Sequence, residues 1–232
     1  MKTSFWTRLF DLIAPRSCAV CGRRLSPNES AICGVCHLHL PFTNFHHHPY
    51  DNPMAKLFWG LIPVERAAAL FFYEPHSEIS HIIYDMKYHG QQELGEAMGR
   101  IAARQFAKED FFRDIDALVP IPITRRRQWK RGYNQSMMIA RGISSVTDIP
   151  IYNNVVKRTQ FAGSQTDKHR WERQKNVENV FRLNRPDEVR GKHLLVVDDI
   201  VTTGSTIISC ANQLCLAGDV SISIMTLGFT KH

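Results

Sequence analysis

What the 232-residue chain lacks narrows its class before any motif is read. No run approaches the roughly 18 consecutive apolar residues that a membrane-spanning helix needs. No Gly-x4-Gly-Lys-Ser/Thr phosphate loop is present, so an ATP-driven DNA motor in this chain is not supported. The start, MKTSFWTRLFDLIAP, carries Phe5, Trp6, Leu9, Phe10, Leu12 and Ile13. Arg8 and Asp11 interrupt it, and no small-residue cleavage site follows, which argues against an export signal. A short amphipathic helix docked on the body is expected instead; a foot on a membrane surface is the alternative. Acidic residues are in deficit, 22 against 29 Lys and Arg, for a net charge of +7. That balance favours anionic ligands without choosing between a diphosphate and nucleic acid. With 44% apolar and 22% charged residues, the chain reads as one medium soluble domain plus a small appendage.

Cysteines are few and unevenly placed. Cys18, Cys21, Cys33 and Cys36 form two CxxC pairs separated by eleven residues, while Cys210 and Cys215 stand apart as small core residues. Without an export signal, the chain is read as cytoplasmic and the four as a metal site rather than as disulfides. The spacing predicts a structural tetrahedral Zn²⁺ site with Gly22 and Gly34 helping the backbone turn around the sulfurs. A closed four-cysteine site leaves no place for a catalytic water. His46, His47 and His48, followed by Pro49, Asn52 and Pro53, read as a solvent-exposed linker. The expected division is residues 1–48 for the N-terminal helix and cysteine module, and 49–232 for the main domain.

The main domain alternates strand and helix patterns. Phe58 to Phe72 suggests hairpin strands, with Ala67 to Tyr73 the stronger part. Helical stripes follow at Ile79, Ile82, Ile83 and Met86, and at Leu94, Met98, Ile101 and Phe106. Ile115 to Val119 is a strand running into a basic loop, TRRRQWKRGYNQ, with five cations between Arg125 and Arg131. Met137, Ile139, Ala140 and Ile143 mark the next helix. Val155 to Arg158 is a short strand, and 159–176 reads as a long mobile loop of the functional kind. Val177 to Leu183 resumes a strand. Val220 to Leu227 closes the chain with Val220, Ile222 and Ile224 turned to one face. The alternation predicts a mainly parallel α/β sheet with right-handed crossovers.

The most informative stretch is Leu194 to Thr206, LLVVDDIVTTGST. Leu194 to Val197 form a strand that ends in Asp198 and Asp199, then Thr202-Thr203-Gly204-Ser205-Thr206 turns into a helix carrying Ile207, Ala211 and Leu214. Gly204 lets backbone approach a ligand. N–H groups and the dipole at the helix start favour an anion. Two carboxylates about 4 Å apart repel by roughly 4 kcal/mol at an effective dielectric near 20, so they call for hydroxyl donors or a hard cation such as Mg²⁺. A sugar phosphate satisfies both halves.

VVDDIVTTGST resembles the phosphoribosyl diphosphate motif of type I phosphoribosyltransferases. Together the two CxxC pairs, VPIPITRRRQWKRGYNQ, TQ with a following ERQKNVENVF, and the acid-pair strand resemble the ComF family of bacterial competence proteins across most of the chain. The resemblance implies a type I phosphoribosyltransferase-like parallel sheet flanked by helices, with a small N-terminal zinc-binding module. It further implies that Asp198 and Asp199 hold the ribose hydroxyls, that Thr202, Thr203, Gly204, Ser205 and Thr206 hold the 5-phosphate, and that Arg125, Arg126, Arg127 and Arg131 meet diphosphate. By analogy with amidophosphoribosyltransferases, Arg170 or Arg173 closes from the 159–176 loop. The chain lacks a glutaminase domain with its N-terminal cysteine, which puts glutamine-dependent amination in doubt. Two function classes follow: a Mg²⁺-dependent phosphoribosyltransferase of unidentified acceptor, and a nucleotide-sensing or single-stranded DNA-binding competence factor working with competence proteins. Trp129, Tyr133 and Trp171, interleaved with cations, suit stacking platforms in the second class, and suit packing or stacking on a substrate base equally well.

Overall fold

A computed structural model of the chain describes residues 16–159 and 180–231. The expected N-terminal amphipathic helix and the residues Thr166, Lys168, His169, Arg170, Trp171, Arg173 and Val177 lie outside the described part. No helix among the described residues is long and apolar enough to cross a membrane.

In chain order the elements are helix α1 (Gly34–His39), helix α2 (Pro53–Lys56), strand β1 (Val64–Tyr73), helix α3 (Glu78–Tyr88) and helix α4 (Gln92–Phe106). Then come β2 (Ala117–Pro120), α5 (Arg125–Arg131), α6 (Gln135–Thr147), β3 (Val156–Arg158) and β4 (Phe181–Leu183). Helix α7 (Pro186–Val189), β5 (His193–Val201), α8 (Ser205–Cys215) and β6 (Ser221–Thr230) complete the chain. Strands β1, β6, β5 and β2 pair in that order, all parallel, into one sheet flanked by helices. The parallel α/β architecture is the one expected from the alternating patterns. β3 and β4 stand apart as a small antiparallel hairpin.

Several local expectations change for identifiable reasons. Phe58 to Phe72 is not a pair of hairpin strands: residues 57–61 form turns and only the part from Val64 is strand, β1. Just before, Asn52 accepts from the N–H groups of Met54 and Ala55 and so starts a short helix, with Pro53 inside its first turn. Strand β6 does not turn one face to solvent. It lies between β1 and β5, and eight of its ten residues are buried. The basic stretch after β2 is a helix rather than a loop. Thr124 caps α5 by accepting from Arg127 N–H at 3.3 Å, and Gly132, at φ 79°, ends it in the left-handed region.

The histidine run is not an exposed linker either. His46 is buried and stacked on Phe106, with ring centroids 4.8 Å apart. Burial holds its imidazole down to about 4, so it packs as a neutral ring. Asn52 is buried as well and donates to the carbonyls of His48 and Ala67. The 41–49 segment runs along the free edge of β1: Phe72 N–H donates to Pro41, Thr43 N–H to Leu70 and Ala67 N–H to Pro49.

The positions of α4 and α6 are fixed by two glycines. A Cβ added at Gly99 would lie 2.2 Å from the Ile139 carbonyl oxygen, and one at Gly142 would lie 2.1 Å from that of Glu96. Backbone therefore packs on backbone, and this crossing aims the N-terminus of α6 at the carboxyl edge of the sheet. Gly142→Ala should destabilise the fold by about 2–3 kcal/mol, lowering Tm by roughly 4–12 °C. Thermal denaturation followed by circular dichroism checks this; an unchanged Tm would refute the close crossing.

Candidate functional site

The site is built at the carboxyl ends of the parallel strands, where crossover loops leave a crevice. Strand β5 carries the acid pair inside the strand rather than just after it, running on through Ile200 and Val201. The turn Thr202–Gly204 follows, and α8 starts at Ser205. Gly204 sits at φ 75°, and a Cβ there would meet the Phe58 ring at 2.9 Å. Only glycine fits both the left-handed backbone and the wall behind it. Gly204 gives α8 no side-chain cap, and the hydroxyls of Thr203 and Ser205 lie 2.9 Å apart across the turn. The turn thus offers N–H groups and hydroxyls together, the donor set of an anion cradle.

Each carboxylate is anchored by a different helix. Ser136 Oγ donates to Asp198 Oδ1 at 2.9 Å, and the Asp199 backbone N–H donates to the same oxygen at 2.9 Å. Ser136 is placed by Asn134, which caps α6 and also donates to the Ile121 carbonyl at the end of β2. Lys87, in the last turn of α3, pairs with Asp199 Oδ2 at 2.9 Å. Burial and the neighbouring Asp199 carboxylate push Asp198 up to about 7, against the opposing pull of the Asp199 N–H, Ser136 and Lys87.

Helix α5 distributes its cations by helical spacing. Arg131 donates to Gln135 Oε1 at 2.9 Å and stacks on Tyr88. Arg125 and Gln128 face the cavity under the β3–β4 hairpin. Arg127 lies close enough to Arg158 for the two cations to interact. Burial and then Arg127 push Arg158 down, while Asp198 pulls it up; its guanidinium stacks on the Phe181 ring, 5.2 Å from the centroid. The structure thus brings together Asp198, Asp199 and the Thr202–Thr206 turn, with α5 at the same edge. It adds Lys87, Ser136 and Arg158, which sequence reading missed. In the sequence Lys87 reads only as part of a helix end, and nothing there singles out Ser136. Of the proposed stacking aromatics, Trp129 is 89% exposed. Tyr133 is instead buried, with its hydroxyl donating to the Met86 carbonyl. Arg170 and Arg173 are not among the described residues.

At the other end of the chain, the sulfurs of Cys18, Cys21, Cys33 and Cys36 all lie within 4.8 Å of one another. Cys21 and Cys33 sulfurs are 3.8 Å apart. Tetrahedral bonds of about 2.3 Å place sulfurs about 3.8 Å from each other, so the cluster fits a metal. Burial pushes the Cys18 thiol up, but N–H groups of Cys21, Cys33 and Val20 outweigh it and bring it down to about 7.

The state of Asp198 has a stability consequence. Its carboxyl lies above the ordinary value of 3.8 in the folded chain, so the folded state binds the proton more tightly than the unfolded one. Stability from this group is full below pH 4 and is lost as pH rises toward 7. Asp198→Asn should therefore melt several degrees above the parent at pH 8 and equal it near pH 4. Tm measured across that range checks the sign; a gain confined to acid pH would refute it.

Comparison with known proteins follows this geometry. No family model matches the chain. It is 28% identical over 213 residues to the protein named DNA utilization protein YhgH of Escherichia coli, covering 90% of this chain and 88% of that one. It is 30% identical over 153 residues to Competence protein F of Haemophilus influenzae, covering 64% and 67%. Competence protein ComFC of Bacillus subtilis is 30% identical over 111 residues, covering 47% and 43%. Among solved structures, adenine phosphoribosyltransferase from Leishmania tarentolae superposes with a TM-score of 0.38 at 9% identity, over 78% of this chain and 88% of that one. With a relative of that identity and coverage in Haemophilus, and the cysteine cluster and acid-pair strand in place, the chain belongs to the ComF family.

Proposed function

We propose that the chain binds phosphoribosyl diphosphate with Mg²⁺ at the carboxyl edge of its sheet and acts in the handling of DNA, as the names of its relatives suggest for them. The observation that carries the reading is the order acid pair, Gly204 turn, uncapped α8. Asp198 and Asp199 would hold the ribose hydroxyls, and the turn from Thr202 to Thr206 the 5-phosphate. Arg127 and Arg158, whose charges act on each other and, for Arg158, on Asp198, would meet the diphosphate. Mg²⁺, when bound, would neutralise part of the diphosphate charge as it departs. Lys87 would hold the Asp199 carboxylate in place while no ligand is present. Arg126 and the 159–176 arginines Arg170 and Arg173 complete the cationic set in this reading, and the acceptor is unidentified. Titration calorimetry should show Mg²⁺-dependent binding of phosphoribosyl diphosphate, weakened at least tenfold by Asp198→Asn with Asp199→Asn in a folded variant. Unchanged affinity would refute the assignment. Arg127→Ala should weaken phosphoribosyl diphosphate more than ribose 5-phosphate, which lacks the diphosphate.

A second reading has its own observation. Trp129 projects from α5 one turn after Arg125 and Arg126, its i−4 and i−3 neighbours on the helix. An exposed aromatic next to two cations suits a base stacked on a single strand. Single-stranded DNA affinity that falls with salt at a slope near −0.7 per phosphate, and is lost with Trp129→Ala, would favour it.

The four-cysteine cluster is proposed to hold structural zinc, with the sulfurs as its full ligand set. Cys36→Ser should lose the metal and lower Tm while leaving phosphoribosyl diphosphate affinity in the remaining folded protein unchanged. Elemental analysis of the freshly purified parent that finds no zinc would refute the metal's identity.

A further inference from the structure

Next to the acid pair, the β3–β4 hairpin and helices α5 and α6 surround a cavity of ≈ 830 Å³. Arg125, Lys157, Arg158 and Arg182 line it, and no described carboxylate does. Arg141 also reaches the cavity but turns its guanidinium toward Glu96 at 3.9 Å, so its charge is partly met. Lys157 and Arg182 are the telling pair. They sit directly opposite each other on antiparallel strands of only three residues each. Like charges at that position destabilise a strand pair, and a hairpin this short has little to spare. Among the described residues neither is in an ion pair.

The rest of the lining is of another character. Pro122, Ile123, Met137 and Met138 form an apolar wall, and Asn153 and Asn154 supply neutral polar groups. The cations converge on one cavity, whereas a surface that tracks a nucleic-acid backbone spreads them along a line. The volume suits a small organic molecule and is far more than one inorganic ion fills.

We propose that this cavity binds a phosphorylated small molecule with an apolar body. Its phosphate lies between Lys157 and Arg182, where a guanidinium fork can take two oxygens, and its body lies along Met137 and Pro122. The bound phosphate removes the repulsion that the empty hairpin carries. Arg125 and Arg158 line both sites, but the phosphate is assigned to Lys157 and Arg182, which the phosphoribosyl diphosphate reading does not use, so the double variant tests this inference apart from that one.

The test uses phenyl phosphate as probe and the full chain, with and without saturating phosphoribosyl diphosphate and Mg²⁺. Calorimetry should show phenyl phosphate binding and no binding of phenol. Lys157→Ala with Arg182→Ala should weaken phenyl phosphate at least tenfold and leave phosphoribosyl diphosphate affinity within twofold. Without ligand, the double variant should melt at or above the parent, and phenyl phosphate should raise Tm in the parent alone. The proposal is overturned if phenyl phosphate does not bind the parent, or binds the variant equally well. It is also overturned if the ligand-free variant melts well below the parent, since the cations would then be structural. Loss of an oligothymidylate instead of phenyl phosphate would reassign the hairpin to nucleic acid.

Discussion

Two adjacent carboxylates at the end of a buried parallel strand are the constraint on which the rest of the site depends. Side by side, Asp198 and Asp199 repel, and burial penalises each charge further. The fold answers with one partner for each from separate crossover helices. Ser136, at the start of α6, and the Asp199 N–H share Asp198 Oδ1, while Lys87, at the end of α3, holds Asp199. Ser136 reaches β5 because α6 is clamped on α4 through Gly99 and Gly142, and because Asn134 ties the start of α6 to the end of β2. The arrangement leaves the acids unequal. Asp199 has a cation against it, whereas Asp198 is held by neutral donors and sits near neutrality. Unequal environments for paired carboxylates are a mark of sites that handle protons or hydroxyl ligands.

The positive charge is arranged with equal economy. Cations at the first turn of α5 oppose the helix dipole, which favours acids there. None of the seven residues of α5 is buried, so apolar packing does little to offset that cost. The same is true of Lys157 facing Arg182. In each case the sequence accepts a local penalty beside the crevice, and such penalties concentrate where a ligand is to be met. The excess of seven positive charges is therefore not a uniform coat; part of it is gathered around the carboxyl edge of the sheet.

What could be read from sequence follows the range of the interactions. The β5–turn–α8 unit is local: apolar run, two acids, hydroxyls and glycine lie within thirteen residues, so both its structure and its chemistry were legible. The cysteine cluster was legible for the same reason. Ser136 meets Asp198 across 62 residues, and no local pattern announces such a bond. Helix α5 was hidden because its charge leaves no apolar stripe for periodicity to detect. Its caps, Thr124 and Gly132, were nevertheless in plain view and outweigh the missing stripe. His46 shows the opposite failure. Three consecutive histidines look solvated, yet a planar stack on Phe106 buries one of them, and only tertiary packing supplies that ring.

The segment that carries His46 also answers the liability of an open sheet. β1 is an edge strand with six consecutive buried residues, and an uncovered edge of that kind invites pairing with other chains. Pro41, Thr43 and Pro49 take up its exposed groups one by one, and the Thr43 hydroxyl adds a bond to the Ala69 carbonyl. Phe42 packs on Phe71 and Phe45 on Phe72 and Phe229, so the cover is held by side chains as well as by backbone. This cover begins two residues after α1, the helix on which Cys36 sits. A metal fixing Cys33 and Cys36 would fix the start of α1, and through it the point where the cover meets β1. The cysteine module and the sheet are thus joined by a strand-edge seal, and the metal's contribution would reach the fold through that seal rather than through the crevice.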